Sequence, residues 1–195
     1  MKPIVYVLKN KYGLADAQRR FLLSHVSEYK KKRISNVQSP EKADAMLLAE
    51  SLLKCAASKE FGIPMESLTI SRKQGGKPYF VNFANIHFSI SHGDEYVAVA
   101  LCDRPVGIDI QKIGNFPKKV AERICSNEEY ETLLEDTASS ILFTKLWTRK
   151  EAVLKMKGIG IFSGEIRTAL NHQNVDSTRI EDYWLSVAVS DYEAR

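Results

Sequence analysis

The polar face of one predicted strand carries an acid and an amide. Residues 106–111 read VGIDIQ, and this strict alternation is typical of a strand with one aliphatic face. The other face presents Asp109 and Gln111, whose side-chain oxygens are the hard ligands that Mg²⁺ prefers. A solvated acid at the end of a strand is the alternative interpretation of Asp109, and the strand alone does not decide between the two.

A second acid stands on a predicted helix between a tryptophan and a lysine. Residues 145–155 read KLWTRKEAVLK, and helical spacing places Trp147, Glu151 and Lys155 on one face. An exposed Glu–Lys pair, worth about 0.2–0.5 kcal/mol, is one interpretation of that face. The other is that Glu151 and Asp109 together hold Mg²⁺ on a phosphate, because Mg²⁺ takes one or two carboxylates plus substrate oxygens and water.

Side chains that suit phosphate groups lie upstream of these acids. GGKPYF places Lys77 and Pro78 after a predicted turn at residues 75–76. HFSISH ends a predicted strand with Ser91 and His92. A histidine at a strand-to-turn corner can donate a hydrogen bond to a phosphate, and it is as often a turn residue without that role.

The composition of the 195-residue chain indicates a real hydrophobic core and no membrane span. Hydrophobic residues make up 44% of the sequence, and no stretch approaches the ~20 apolar residues of a membrane-spanning helix. Residues 4–8 are too short for the apolar region of an export signal, so we expect a buried first strand there. The three cysteines are widely spaced and form no CxxC motif, which fits a reducing compartment and predicts a cytoplasmic protein.

The charge balance favours an anionic partner without identifying it. The chain has 28 basic and 24 acidic residues, and much of the surplus lies in YKKKR at 29–33 and PKK at 117–119. A nucleotide, a nucleic acid and an acidic protein each suit such a surplus. A nucleic-acid-binding protein is therefore one hypothesis, although no basic face interleaved with aromatic residues supports it.

The order of predicted elements repeats along the chain as strand, two helices and strands. In the first part we expect a strand at 4–8 and then a helix from Asp16 to about Lys32, with Phe21, Leu22 and Val26 inside. A second helix is expected to be capped by Ser39 and ended by Gly62. Strands are expected to follow at 68–71, 78–81, 86–91 and 96–101. In the second part we expect a strand at 106–111, helices from Ser126 and from 139 or 140 to 157, and a strand at 183–190. This order predicts half-domains at 1–104 and 105–195, with a ligand site in the cleft between them.

Four motifs in order, GGKPYF, HFSISH, VGIDIQ and LWTRKEAVLKMKGIGI, resemble those of the 4′-phosphopantetheinyl transferases of the Sfp type. Each motif is weak alone, but four in this order over residues 75–161 are specific. The resemblance implies an α+β fold: a pseudo-two-fold pair of similar half-domains, each with helices packed on a small antiparallel sheet. It implies that phosphopantetheine moves from coenzyme A to a serine of an acyl or peptidyl carrier protein, with Mg²⁺, or Mn²⁺ in its place, and that adenosine 3′,5′-bisphosphate is released.

The resemblance also implies roles for individual residues. The implied metal ligands are Asp109, Gln111 and Glu151. The implied catalytic residues are Glu151 as the base for the carrier serine, Lys155 as the stabiliser of charge on the phosphate, and His92. The implied contacts to coenzyme A are Lys30, Arg33, Lys77, Pro78, Ser91, His92, Lys150 and Lys155. Gly107 is expected to leave room for the pyrophosphate, and Glu129 matches a family acid although a capping box with Ser126 also explains it.

Two positions depart from the family pattern. Gln111 stands where the commonest motif has a glutamate, so it brings an amide oxygen without a charge. Ala45 and Met46 stand where an arginine often contacts the 3′-phosphate. These departures leave open a second hypothesis, a relative that binds coenzyme A or a carrier protein with little turnover.

The resemblance and the charge pattern also predict partners. We expect a monomer that binds coenzyme A and an acidic carrier protein, and neither nucleic acid nor membrane. The carrier is expected to dock beside residues 159–162, IGIF, where apolar side chains follow Lys155 and Lys157.

Overall fold

The computed structural model describes residues 1–73, 76–161, 163–171 and 173–191. The N-terminal half comprises β1 (Ile4–Lys9), α1 (Asp16–His25), α2 (Glu28–Ser35), α3 (Pro40–Phe61), β2 (Ile70–Arg72), β3 (Pro78–Phe80), β4 (His87–His92) and β5 (Tyr96–Cys102). The C-terminal half comprises β6 (Val106–Lys112), α4 (Lys118–Ile124), α5 (Asn127–Glu135), α6 (Ser139–Lys157), β7 (Val175–Ile180) and β8 (Tyr183–Val189). Among the described helices, none has the length and apolar character needed to cross a membrane.

The two halves repeat one sheet topology. The sheet order is β1-β5-β4 in the N-terminal half and β6-β8-β7 in the C-terminal half, with antiparallel pairing throughout. In each half the first strand lies beside the last, and the last lies beside the strand before it. The long helix α3 packs on β5 and β4, and α6 packs on β6 and β8. This arrangement confirms the predicted α+β fold of two similar halves, to which the first half adds the β2–β3 hairpin.

The helix expected from residue 16 to about residue 32 is two helices. α1 ends before Val26, whose backbone is extended and whose side chain is 6% exposed. Ser27 then begins α2, because its side chain accepts a hydrogen bond from the Lys30 amide at 3.2 Å. Phe21, expected inside, is 63% exposed. The break separates the basic helix α2 from α1.

Helix α3 begins and ends where the sequence predicts. Ser39 accepts from the Lys42 amide at 3.2 Å, Pro40 occupies the first helical position, and Gly62 ends the helix with φ of 66°. Both caps therefore act through the mechanism that the residue types predict.

Two elements of the C-terminal half were not predicted. α4 has no side-chain cap and reads KKVAERI, which gives only two buried positions, Ala121 and Ile124. β7 reads VDSTRI at the edge of its sheet, where most of its side chains remain accessible. Both elements are short and polar, so they show no clear periodicity of apolar residues from which they could be predicted. Each half consequently carries three α-helices in the described ranges, not the two expected.

The core between the halves is built on β5, all seven residues of which are buried. Val97, Val99 and Leu101 face the N-terminal helices and hairpin. Ala98 and Ala100 face β6 and β8, where they join one buried cluster with β6 aliphatic residues such as Ile108. Small side chains on this face let the two sheets approach closely, so the core is continuous from one half to the other.

Serine side chains join β4 to β6 where the two sheets meet. The Ile108 amide donates to Ser89 Oγ at 3.1 Å, and the Ile110 amide donates to Ser91 Oγ at 3.2 Å. Both serines are buried, at 5% and 4% exposure. The free edge of β6 is thus satisfied by hydroxyls of β4 instead of a backbone ladder. We call these two contacts the serine seam.

Gly107 allows α6 to lie directly on β6. A Cβ atom at this position would stand 1.9 Å from the Ala152 carbonyl oxygen and 2.5 Å from the Met156 nitrogen. The expectation that Gly107 leaves room for a pyrophosphate is therefore wrong, because the helix backbone fills that room. The close approach instead fixes the distance between the acid-bearing strand and the acid-bearing helix.

Candidate active site

Asp109 is the buried centre of the site. Its carboxylate is 2% exposed and lies on the face of β6 that α6 covers. Oδ1 accepts hydrogen bonds from Ser91 Oγ and from Lys155 Nζ, both at 2.7 Å. Lys155 Nζ also donates to Ser91 Oγ at 3.1 Å. The structure therefore joins β4, β6 and α6 at a three-residue cluster that the sequence motifs predicted separately.

Glu151 lies one turn before Lys155 on α6 and has no hydrogen-bond partner within the described ranges. Burial, followed by the negative charge of Asp109, raises the pKa of its carboxyl to about 7, and the charge of Lys155 opposes both effects. Such a group can accept a proton near neutral pH or ionise fully beside a cation. The exposed Glu–Lys surface pair is therefore wrong as an interpretation of this helix face.

Gln111 lies beside Asp109 on the same strand face, as the alternation predicts. Its amide nitrogen donates to Asp109 Oδ2 at 3.3 Å. Rotation of the amide group by half a turn would present the oxygen to the same space. Gln111 thus contacts the acid that the sequence pairs it with.

The described residues contain no group of three or more histidine, cysteine or acidic side chains that converges on one point. The donor set at this site is two carboxylates and one amide, Asp109, Glu151 and Gln111. Such oxygen donors suit Mg²⁺ or Mn²⁺, which complete their shells with water and substrate oxygens. Asp109 and the half-buried Glu151 repel each other, and a cation would relieve this repulsion, so the residues present fit a divalent metal.

A cleft of about 340 Å³ lies beside these acids and draws its lining from both halves. Its basic lining residues are Lys30, Arg33, Arg72, Lys77, His92 and Lys155. Its other lining residues are Met46, Ala49, Gly76, Pro78, Phe88, Ser89, Ile90, Gly158 and Ile159. Within the described chain no aspartate or glutamate lines it, so the cleft is an electrostatic site for an anion.

Two basic groups of the cleft, Lys77 and His92, have lowered pKa values. Lys77 Nζ donates to the carbonyl oxygens of Met156 at 2.6 Å and Val106 at 3.2 Å, and burial, followed by the charge of Lys73, lowers its pKa to about 8. Partial loss of solvent, followed by the charges of neighbouring lysines, lowers the pKa of His92. An anion in the cleft would favour the protonated form of both groups.

Lys150 is not part of this cleft. Its side chain has no exposed surface, and Nζ contacts Glu129 Oε2 at 2.9 Å and the carbonyl oxygens of Ile166 and Arg167 at 2.9 and 3.0 Å. Glu129 also completes the capping box of α5 by accepting from the Ser126 amide at 2.7 Å. The structure places both residues in a buried support of the C-terminal half, so the expected contact of Lys150 with coenzyme A has no geometric basis.

Three further predicted site residues line the cleft, and one arginine of the lining was not predicted. Lys30, Arg33 and Pro78 line the cleft as expected, whereas Arg72 lines it and was not predicted. The signal for Arg72 was its place in the basic hairpin sequence RKQGGKP, of which residues 74 and 75, including the Gly75 of the expected turn, lie outside the described residues.

The described apolar side chains of the expected carrier-docking segment are partly accessible. Ile159 and Ile161 are half-buried and pack against the core of the C-terminal half. Phe162 lies outside the described residues. Since neither side chain is fully buried, docking of the carrier beside this segment stays a prediction.

Two family models match adjacent parts of the chain. One, described as the 4′-phosphopantetheinyl transferase superfamily, matches residues 105–189. The other, described as 4′-phosphopantetheinyl transferase, N-terminal, matches residues 14–104. Together with the fold and the acidic and basic site, these matches show that the chain belongs to the 4′-phosphopantetheinyl transferase superfamily.

Curated relatives support the same family. The chain is 37% identical over 144 residues to the 4′-phosphopantetheinyl transferase gsp of Aneurinibacillus migulanus, which covers 73% of this chain and 60% of that protein. It is 33% identical over 150 residues to psf-1 of Bacillus pumilus, covering 75% and 64%, and 28% identical over 150 residues to Sfp of Bacillus subtilis, covering 76% and 67%. The chain thus spans 60–64% of the length of the first two relatives.

Proposed function

We propose that this protein transfers the 4′-phosphopantetheine group of coenzyme A to a serine of an apo acyl or peptidyl carrier protein. The observation that supports the proposal best is the basic cleft, free of lining acids in the described chain, which adjoins the Asp109–Lys155 cluster and Glu151. Coenzyme A carries a pyrophosphate and a separate phosphate, and such an anion suits this cleft. Family membership supports the reaction class.

The proposed reaction breaks one phosphorus–oxygen bond and forms another. The carrier serine oxygen attacks the phosphorus that bears pantetheine, and the oxygen that bridges the pyrophosphate leaves with adenosine 3′,5′-bisphosphate. The serine proton passes to the Glu151 carboxylate, which acts as the general base. The products are one phosphodiester on the carrier and one nucleotide.

The remaining residues position and neutralise the phosphates. Lys155, anchored by Asp109 and Ser91, and His92 present positive charge to the pyrophosphate, and Lys77 does so from the hairpin side. Asp109, Glu151 and Gln111 would hold Mg²⁺ or Mn²⁺, which when bound supplies positive charge beside the attacked phosphate. Phosphoryl transfer depends mainly on such positioning and charge.

The direct test is incubation of the protein with coenzyme A, Mg²⁺ and several apo carrier proteins, followed by mass spectrometry of each carrier. We expect one phosphopantetheine addition on a serine, and no addition without Mg²⁺. Failure on every carrier, with retained binding of coenzyme A in a calorimeter, would instead support the weakly catalytic relative that Gln111 suggests. Salt-sensitive oligonucleotide binding without any response to coenzyme A would support the nucleic-acid hypothesis.

We further propose that the protein acts in the cytoplasm as a monomer, without a nucleic-acid or membrane partner. The odd, unpaired cysteines support a reducing compartment: Cys55, Cys102 and Cys125 are all free thiols. Sedimentation equilibrium at micromolar concentration tests the oligomeric state, and a mass near 22.0 kDa is expected.

A further inference from the structure

A second cavity, of about 550 Å³, lies where β3 and the start of β4 meet the end of α6. We call it the aromatic cavity. Its lining residues are Lys73, Lys77, Pro78, Tyr79, Phe80, Phe83, Ala84, Ile86, His87, Phe88, Pro105, Met156, Lys157 and Gly158. It shares Lys77 with the cleft but is not lined by Arg33, His92 or Lys155, so it is a space that the proposed reaction does not use.

The walls of the aromatic cavity are apolar and come from both halves. Phe80 and Phe88 belong to the buried core of the first half, and their rings meet with centroids 4.5 Å apart. Met156 adds a buried side chain from the core of the second half. Ligand pockets in proteins commonly measure about 300–1,000 Å³ and have walls of this kind. The cavity is therefore large enough and apolar enough for the hydrocarbon part of a small molecule.

Positive charge surrounds these apolar walls. The basic lining residues are Lys73, Lys77, His87 and Lys157, and no aspartate or glutamate of the described ranges lines the cavity. Lys73 and Lys157 are exposed, and Lys157 is partly compensated by Glu165 at 3.1 Å. An apolar cavity with basic residues among its lining favours a ligand that is both hydrophobic and anionic.

His87 shows that this positive charge is not balanced inside the cavity. Burial, followed by the charges of Lys77 and Lys73, lowers the pKa of His87, and Asp103 opposes these effects. Asp103 is itself paired with the N-terminal ammonium group at 2.8 Å. A carboxylate bound among these groups would offset their mutual repulsion.

The combination of walls and charge limits the class of ligand. A simple inorganic anion would leave the apolar walls in contact with water, and a neutral hydrocarbon would leave the basic groups unpaired. An acidic helix, about 10 Å across, is too wide to enter a cavity of this volume. An aliphatic carboxylate of medium chain length satisfies both features.

We propose that the aromatic cavity is a binding site for an amphipathic carboxylate, separate from the basic cleft. The chain of the ligand packs on Phe80, Phe88 and Met156, and its carboxylate lies toward Lys73 and His87. The binding does not depend on coenzyme A or on the transfer reaction.

The test uses octanoate as the probe, below its micellar concentration, in titration calorimetry of the full chain. We expect octanoate to bind about tenfold or more tightly than hexanoate, because each buried methylene group strengthens binding about fourfold. Octan-1-ol, which has the same chain without the charge, should bind at least about fivefold more weakly than octanoate.

Three variants locate the bound probe. Lys73→Glu should weaken octanoate about fivefold or more and change octan-1-ol less than about twofold. Arg33→Glu is the matched charge reversal, since Arg33 lines the cleft and not the aromatic cavity, and it should change octanoate less than about twofold. Ala84→Trp, at an exposed position of the lining, should block both probes by filling the cavity.

The contrary outcomes are equally definite. No binding of octanoate, equal binding of hexanoate or of octan-1-ol, or an unchanged affinity in Lys73→Glu or Ala84→Trp overturns the site. An equal loss in Arg33→Glu places the probe in the cleft and also overturns it. Melting temperatures within about 2 °C of wild type establish that the substitutions leave the fold intact. Each of these results leaves the proposed transfer reaction standing, because that reaction is measured separately on carrier proteins.

Discussion

At the scale of single residues, the site depends on an unequal pair of acids. Asp109 accepts hydrogen bonds from Ser91 and Lys155. Glu151 is instead partly buried and lies close to the negative charge of Asp109. Environment therefore distinguishes the two carboxyls: hydrogen bonds hold Asp109 in place, and the pKa of Glu151 is raised to about 7. This difference underlies the first two predictions.

Glu151→Gln should lower the rate of phosphopantetheine transfer by about a hundredfold or more, because the amide cannot accept the serine proton. Asp109→Ala should have an effect at least as large, since it also releases Lys155. Both are measured by mass spectrometry of the carrier over time. Glu66→Gln, at an exposed acid outside the cleft lining, is the matched control, and a rate loss in this control equal to that of Glu151→Gln would contradict the assignment.

Gln111→Glu should reduce the Mg²⁺ concentration needed for half-maximal rate, because a third carboxylate adds negative charge to the donor set. The measurement is the transfer rate against Mg²⁺ concentration at fixed ionic strength. Gln173→Glu makes the same change of charge elsewhere in the C-terminal half and should leave the Mg²⁺ curve in place. An unchanged curve for Gln111→Glu would mean that position 111 lies outside the metal shell.

Lys77 should take up a proton when coenzyme A binds above pH 8. Its pKa is lowered from 10.5 to about 8, so the free protein has lost most of this proton at pH 8.5, and an anion raises the pKa again. We expect uptake of more than about half a proton per site, measured by calorimetry in two buffers of different ionisation enthalpy. Lys77→Met should reduce the uptake, while Lys118→Met, at an exposed lysine outside the cleft lining, should not.

The same shift has a consequence for stability. Between about pH 8 and 10.5 the unfolded chain holds a proton on Lys77 that the folded chain has released. The free energy of unfolding therefore rises with pH through this window, by the contribution of this group. A difference between wild type and Lys77→Met that stays constant from pH 7 to 10 would contradict the lowered pKa.

The sequence placed the candidate catalytic residues better than their neighbours. Asp109, Glu151 and Lys155 were recognisable because alternation and helical spacing place them on definite faces. Lys150 precedes Lys155 by five residues, which is about 140° around a helix, so it points into the C-terminal core. A motif that contains both lysines does not say which of them faces the ligand.

At the scale of elements, the site depends on the contact between β6 and α6. Gly107 brings the helix backbone onto the strand, and this approach places Lys155 within 2.7 Å of Asp109. The serine seam then fixes β4 against the other edge of β6. The elements β4, β6 and α6, distant in sequence, therefore meet because Gly107 has no side chain and because Ser89 and Ser91 supply hydroxyl groups.

Gly107→Ala should destabilise the protein by about 3 kcal/mol or more, because the new Cβ would overlap backbone atoms that cannot move singly. The measurement is the free energy of unfolding in urea. Gly114→Ala is the control, since a Cβ at Gly114 meets nothing within 4 Å, and it should change stability by less than about 1 kcal/mol. Equal effects of the two substitutions would contradict the close approach of α6.

The helix boundaries differ in how well the sequence predicts them. α3 was predictable because Ser39 and Gly62 act locally on the helix ends. The break at Val26 was not, because the helical pattern continues through it and tertiary burial of Val26 competes with local propensity. Ser27 was the available sign, as a cap residue inside a long helical pattern.

At the scale of the whole molecule, the halves share a core as well as a topology. We propose a boundary between residues 104 and 105 on topological grounds. One buried cluster nevertheless combines β5 of the first half with β6 and β8 of the second, and Tyr96 and Tyr183 meet edge to face at 4.8 Å. Neither half can bury this face alone, so the halves are structural repeats and one folding unit.

Urea unfolding should therefore show one transition for both halves. Trp147 and Trp184 both lie in the C-terminal half, so fluorescence reports that half, while far-ultraviolet circular dichroism also reports α3. We expect the two midpoints to coincide within about 0.2 M. Separate midpoints, or a folded fragment of residues 1–104, would contradict the shared core.

The short link between the halves determines how the cleft responds to dilution of the protein. Only residues 103–105 separate β5 from β6, and the cleft takes its lining from both sides of this link. Two unlinked halves would have to find each other in solution, whereas a short covalent link gives them an effective concentration in the millimolar range or above. The cleft therefore stays assembled at nanomolar protein, and the fraction of molecules with a complete cleft does not depend on how much protein a cell contains.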